Sequence, residues 1–153
     1  MKKALPWILV LIPVVVFVQS LPFKFSGAVE TVHIFTTIGA WFDSIGLAAI
    51  GGPFAQYGAY GVGIAEIIAS VLLLIPATRH WGALFGLGVL SGAIFFHVFT
   101  PLGVSVKFPG APEGGDPALF IMAVVAWSAL LATVILNKDK YPFIGSKAVP
   151  ATA

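Results

Sequence analysis

The chain has 153 residues, of which 59% are hydrophobic and 9% charged, and its formal net charge is +2. Soluble domains carry about a quarter charged residues, so this composition excludes a water-soluble globular protein and predicts an integral membrane protein. The sequence contains no cysteine, which excludes dithiol–disulfide chemistry, iron–sulfur ligation and thiolate zinc sites.

Four apolar stretches follow one another along the chain, each close to the roughly 20 residues that cross a bilayer as a helix. They cover about residues 4–21, 57–75, 81–100 and 118–136. Pro13 lies inside the first stretch, and Pro22, Pro76 and Pro101 mark the predicted ends of the first three. We therefore predict one domain over residues 1–153, folded as an all-α, polytopic membrane four-helix bundle.

Basic residues predict the orientation of this bundle. When four spans are threaded, only Lys24 and Lys107 fall on one side, and the other side holds Lys2, Lys3, Arg79, Lys138, Lys140 and Lys147. The positive-inside rule then places both termini in the cytoplasm. The first run also resembles a secretory signal, but its length of about 18 residues favours a retained transmembrane helix.

The segment between the first two spans predicts an amphipathic helix over about residues 29–45, lying on the outer leaflet. Its apolar residues recur at three- and four-residue spacing: Ile34, Phe35, Ile38, Trp41, Phe42 and Ile45. Such a helix either caps the bundle or acts as a gating lid. The glycine-rich stretch 46–58 is predicted to be an irregular connection.

Small residues four apart predict that the second and third spans pack as a tight antiparallel hairpin. The second span contains the small residues Gly61, Gly63, Ala65, Ala69 and Ser70, and the third contains Gly82, Gly86, Gly88, Ser91 and Gly92.

Glu66 lies near the centre of the second span, where a carboxylate is costly and by default indicates a functional site. It shares a helical face with small residues, so it is predicted to point into the bundle. His97 lies in the last turn of the third span, and the two side chains lean toward each other. We predict a contact between Glu66 and His97, direct or through one water, in a polar cluster completed by Gln19 and Lys24.

Each residue of this cluster also has a purely structural interpretation. Glu66 can stay protonated and only fix helix packing. His97 can anchor the helix at the interface, and Lys24 can extend toward the headgroups. A metal site is not predicted, because His33, Glu66 and His97 lack short ligand spacing.

The order of these residues resembles the DoxX family of small four-helix bacterial membrane proteins. Lys24 follows the first span, Gly61-Val62-Gly63-Ile64-Ala65-Glu66 lies in the second, Thr78-Arg79 follows it, and His97 ends a glycine-rich third span. The resemblance covers roughly residues 5–136 and implies location in a bacterial inner membrane and association with redox systems. Relatives include a subunit of thiosulfate:quinone oxidoreductase and a membrane protein needed for methylamine dehydrogenase maturation. The lack of cysteine departs from the dithiol-handling relatives and argues against thiol transfer.

Three functions remain open at this point. The preferred one is an accessory subunit of a quinone-linked redox system, in which Gln19, Lys24, Glu66 and His97 hold a quinone-like head group and another membrane or periplasmic subunit supplies electrons. The second is a non-catalytic assembly or scaffold protein. The third is a small proton-coupled transporter, which would need a homo-oligomer. Nucleic acid is not a predicted partner, because the basic residues flank apolar runs.

Overall fold

The computed structural model describes residues 4–142, and these residues form helices and no strand. The helices are α1 (Leu5–Ser26), α2 (Val29–Ser44), α3 (Ala48–Leu74), α4 (Arg79–Phe99) and α5 (Ala118–Leu136), followed by a short 3-10 helix at Lys138–Lys140. The predicted all-α class is therefore confirmed. Of the basic residues that predicted the orientation, Lys2, Lys3 and Lys147 lie outside the described residues.

Four of these helices, α1, α3, α4 and α5, are long and apolar enough to cross a membrane. The 19 residues of α5 extend about 29 Å at 1.5 Å per residue, close to the roughly 30 Å of a hydrocarbon core. Together the four helices indicate a multi-pass membrane protein.

The four long helices form a ring in which α1 contacts α3 and α5, and α4 contacts the same two. One end of the ring, called here the Arg79 end, holds the turn between α3 and α4. The start of α1 lies there too, because Arg79 is 4.2 Å from the Trp7 ring centroid. The end of α5 joins them, because the Tyr141 hydroxyl bonds the His80 carbonyl. Neighbouring helices in the ring therefore run in opposite directions, and the opposite end, called the α2 end, carries α2.

The first helix is longer than the sequence predicted. Pro22 does not end α1, which continues to Ser26 and stops at Gly27. Gly27 has a φ of +66°, a left-handed conformation that glycine adopts without steric cost. The extension keeps Lys24 on the helix, one turn after Ser20, and this register positions the candidate site.

The prediction of an irregular connection over residues 46–58 is wrong, because α3 already begins at Ala48. Glycine serves close helix packing in this segment. A Cβ on Gly51 would clash with Asp43 Oδ1 and would lie 2.6 Å from the Gly39 carbonyl oxygen. The two glycines thus let α2 approach α3 closely, and α2 packs mainly against that helix.

The predicted tight packing of the second and third spans holds only near the Arg79 end. A Cβ on Gly82 would lie 2.7 Å from the Leu73 amide nitrogen, so the two backbones nearly touch there. A Cβ on Gly61, Gly88 or Gly92 would meet nothing within 4 Å. These three glycines therefore leave space open between the helices.

Candidate functional site

A cavity of about 660 Å³ occupies this space. Residues of all five helices line it, and most of them are apolar. From α2 come Glu30, Thr31, Ile34, Phe35 and Ile38. This helix therefore forms part of the cavity wall, while its predicted position at a membrane interface stays a prediction.

Aromatic and aliphatic side chains pack together at the α2 end of the cavity. Ile38, Leu102 and Val106 are buried there in one apolar cluster, and the partly buried side chains packed against it are Ile34, Phe42, Phe54, Phe96 and Phe108. The cluster joins α2 to the loop that follows α4. Residues Val106 and Asp116 hold this loop together through an isolated antiparallel bridge.

One wall of the cavity carries an ion pair between α1 and α3. The Lys24 ammonium nitrogen lies 2.9 Å from Glu66 Oε2 and 3.1 Å from Oε1. Glu66 is 6% exposed, so its carboxylate points into the bundle as predicted. Because a charge in such a place needs a partner, Lys24 is the group that makes the ionised Glu66 tolerable.

Ser20 completes a three-residue network. Lys24 Nζ donates to Ser20 Oγ at 2.7 Å, across one turn of α1. Ser20 Oγ lies 3.0 Å from Glu66 Oε2 and 2.7 Å from the Phe17 carbonyl oxygen, and its single proton serves one of these acceptors at a time. Ser20 was not among the residues predicted from the sequence, although its spacing of four from Lys24 was the signal that could have identified it.

The predicted direct contact between Glu66 and His97 is wrong. His97 Nδ1 lies 2.7 Å from the Gly103 carbonyl oxygen, and its ring packs edge-on against Phe120. The chain reverses after α4, so the Gly103 carbonyl lies against the His97 imidazole, while Lys24 pairs with the Glu66 carboxylate. His97 and Glu66 nevertheless line the same cavity.

The contact with Gly103 assigns the tautomer of His97. A carbonyl oxygen only accepts hydrogen bonds, so Nδ1 carries a proton. In the neutral imidazole Nε2 is then the acceptor nitrogen. The ring therefore offers an acceptor, whereas Lys24 offers donors.

Gln19 lies on the same cavity but outside the ion-pair network. Its Nε2 lies 2.9 Å from Met122 Sδ on α5, a weak hydrogen bond. All four predicted site residues, Gln19, Lys24, Glu66 and His97, thus line one cavity. Whether they bind a cofactor stays a prediction.

Thr78 and Arg79, also singled out from the sequence, lie at the other end of the bundle. Thr78 Oγ1 donates to the Leu72 carbonyl at 3.0 Å, and Arg79 Nε donates to the Leu73 carbonyl at 3.1 Å. These bonds satisfy carbonyl groups that the last turn of α3 leaves unpaired. Their contribution to the α3–α4 turn is structural.

Neither family profiles, nor curated proteins, nor solved structures match this chain. The resemblance to the DoxX family therefore stays a prediction from the sequence.

Proposed function

We propose that this chain is an accessory subunit of a quinone-linked redox system and holds a quinone-like head group in the cavity. The observation that supports the proposal is the Lys24–Glu66 ion pair in the wall of a mostly apolar cavity. A buried ion pair is a weak source of stability, so its presence inside a membrane bundle favours a function. The volume of about 660 Å³ lies within the range of roughly 300–1,000 Å³ for small-molecule sites.

The cavity offers a hydrogen-bonding partner to both the carbonyl oxygen of a quinone and the hydroxyl group of its reduced form. Lys24 offers a donor to a carbonyl oxygen, and His97 Nε2 offers an acceptor to a hydroxyl group. A bound quinone supplies a reversible couple of two electrons and two protons. The apolar lining provides the surroundings that its ring and tail require.

The ion pair can also change from a charged to a neutral form inside the bundle. Transfer of a proton from Lys24 Nζ to Glu66 Oε2, over 2.9 Å, converts two charges into two neutral groups. The net charge of the pair is zero in both states, so the proton moves between the two residues without placing a single charge in the apolar wall. Ser20 supports either state, because its hydroxyl both donates and accepts.

The proposal includes an orientation in a bacterial inner membrane. Arg79, Lys138 and Lys140 lie at the Arg79 end, whereas Lys24 and Lys107 lie toward the α2 end. The positive-inside rule places the Arg79 end and both termini in the cytoplasm. The cavity then lies in the outer half of the membrane, where a second membrane or periplasmic subunit would supply electrons.

The test is to titrate the full chain in mild detergent with a short-chain benzoquinone and to measure binding by isothermal titration calorimetry. We expect saturable binding that weakens by about tenfold in Glu66→Gln, the loss of one charged hydrogen-bonding group. Thermal unfolding of the variant checks that it stays folded. Absence of binding by the unchanged protein would refute the proposal.

The same preparation separates the other two functions. A partner protein that co-purifies with the chain, and still does so with Glu66→Gln and with His97→Ala, would favour a scaffold. Proton flux in liposomes that Glu66→Gln abolishes would favour a transporter.

A further inference from the structure

The Arg79 end contains a second polar site, separate from the cavity. Arg79 places its guanidinium carbon 4.2 Å from the Trp7 ring centroid, and its Nη2 atom is buried with no hydrogen-bond acceptor. Among residues 4–142 the one ion pair is Lys24–Glu66, so no carboxylate of these residues pairs with Arg79. The Arg79 charge is thus partly shielded from solvent and uncompensated.

Tyr141 brings two further cations to this end. Its side chain is 1% exposed, and its hydroxyl donates to the His80 carbonyl at 2.7 Å. Its ring packs edge-on against His80 and Trp81, with centroids 5.6 and 5.9 Å apart. Tyr141 thereby fixes the preceding 3-10 helix, with the exposed Lys138 and Lys140, beside the start of α4.

The backbone at the start of α4 adds to the positive potential. No side chain caps this 21-residue helix, and its first turn contains no acidic residue. The amide groups of such a turn attract anions. Asp139 contributes one carboxylate, so the group of Arg79, Lys138 and Lys140 keeps a net positive charge.

The position of this group selects the kind of anion. Arg79 is the first residue of α4, and the lysines follow the end of α5, so all three lie where spans leave the apolar layer. Trp7 and Trp81 flank them, as tryptophan does at headgroup depth. Arg79 Nε is bonded to the Leu73 carbonyl and Nη2 is buried, so Nη1 is the guanidinium nitrogen left to meet a phosphate oxygen. Basic pockets between spans bind anionic headgroups.

We propose that Arg79, with Lys138 and Lys140, binds the phosphate of an anionic phospholipid at the Arg79 end. Arg79 contacts the phosphate, the two lysines balance the negative charge of the headgroup, and Tyr141 positions them. The acyl chains of the lipid lie along the apolar outer surface of the helices. This inference does not depend on the function proposed for the cavity.

The test is native mass spectrometry of the full chain in detergent, titrated with phosphatidylglycerol or with phosphatidylcholine of the same acyl chains. We expect the anionic lipid to bind about tenfold more tightly, a preference that Arg79→Gln removes. Lys107→Gln is the matched control, because Lys107 is an exposed cation at the opposite end of the bundle. It should keep the preference.

Equal affinity for the two lipids, or a preference that persists in Arg79→Gln, would overturn the proposal. If Arg79→Gln does not fold, the double variant Lys138→Gln/Lys140→Gln replaces it, since both side chains are exposed. That variant should lower the preference about threefold, and an unchanged preference would again refute the site. Displacement of the lipid by millimolar inorganic phosphate would overturn the lipid as the source and identify free phosphate as the ligand.

Discussion

Lys24 on α1 and Glu66 on α3, 42 residues apart in the chain, form an ion pair with 2.9 Å between Nζ and Oε2. Their side chains are 14% and 8% exposed, so neither charge is free in solvent. The pair joins two neighbouring helices and places an ammonium and a carboxylate at one cavity wall.

Removal of one partner should destabilise the bundle more than removal of both. Lys24→Met or Glu66→Leu alone leaves an uncompensated buried charge, which costs about 3 kcal/mol of the free energy of unfolding. The double variant should cost less than either single variant. Unfolding in mixed detergent–SDS micelles measures this cycle, and strictly additive effects would contradict the coupling.

Adjacent glycines at the start of α3 should respond differently to alanine. A Cβ on Gly51 would clash with Asp43 Oδ1, so Gly51→Ala should lower the free energy of unfolding by about 1–3 kcal/mol. The control is Gly52→Ala, because a Cβ there meets nothing within 4 Å. This control should be neutral or slightly stabilising. Similar melting temperatures for the two variants would show that α2 does not pack this closely on α3.

Filling the cavity should abolish quinone binding without unfolding the protein. Gly88→Leu adds a side chain at a cavity-lining position where a Cβ meets nothing within 4 Å. Gly52→Leu is the matched control, because it adds the same side chain in open space at a position that does not line the cavity. Benzoquinone titration should show loss of binding only in Gly88→Leu. Equal binding by both variants would place the ligand elsewhere.

Tyr141 should make stability depend on alkaline pH. Burial raises the pKa of the Tyr141 phenol above its ordinary value of 10.0. Above this pH the unfolded chain therefore releases the proton first, and the stabilising contribution is lost as pH rises toward the folded-state pKa. Thermal unfolding between pH 8 and about 11 should show a steeper loss of stability than in Tyr141→Phe. Parallel curves would mean that the phenol is not buried.

Much of the architecture followed from composition and periodicity alone. The predicted last span, 118–136, coincides with α5, and the amphipathic pattern over residues 29–45 matches α2. The length of an apolar run must match the thickness of the bilayer core, and this length can be read from a local stretch of sequence. The inward direction of Glu66 was also predictable, because its helical face carries small residues.

The partner of Glu66 depended on tertiary structure. From the sequence, Pro22 ended the first helix and His97 was the group facing the carboxylate. In the folded protein α1 continues to Ser26, and this extension brings Lys24 to Glu66. The chain reversal after α4 places the Gly103 carbonyl where His97 donates a hydrogen bond to it.

Glycine composition was equally ambiguous before the helices were packed. In one place glycine lets two backbones meet, as at Gly51, and in another it leaves a cavity open, as at Gly88. A residue without a side chain carries no sign of which neighbour it faces. The sequence by itself determined the number of membrane helices and the presence of a buried acid. Only the packing of those helices decided which cation neutralises the acid and where the cavity lies, because both depend on contacts between residues far apart in the chain.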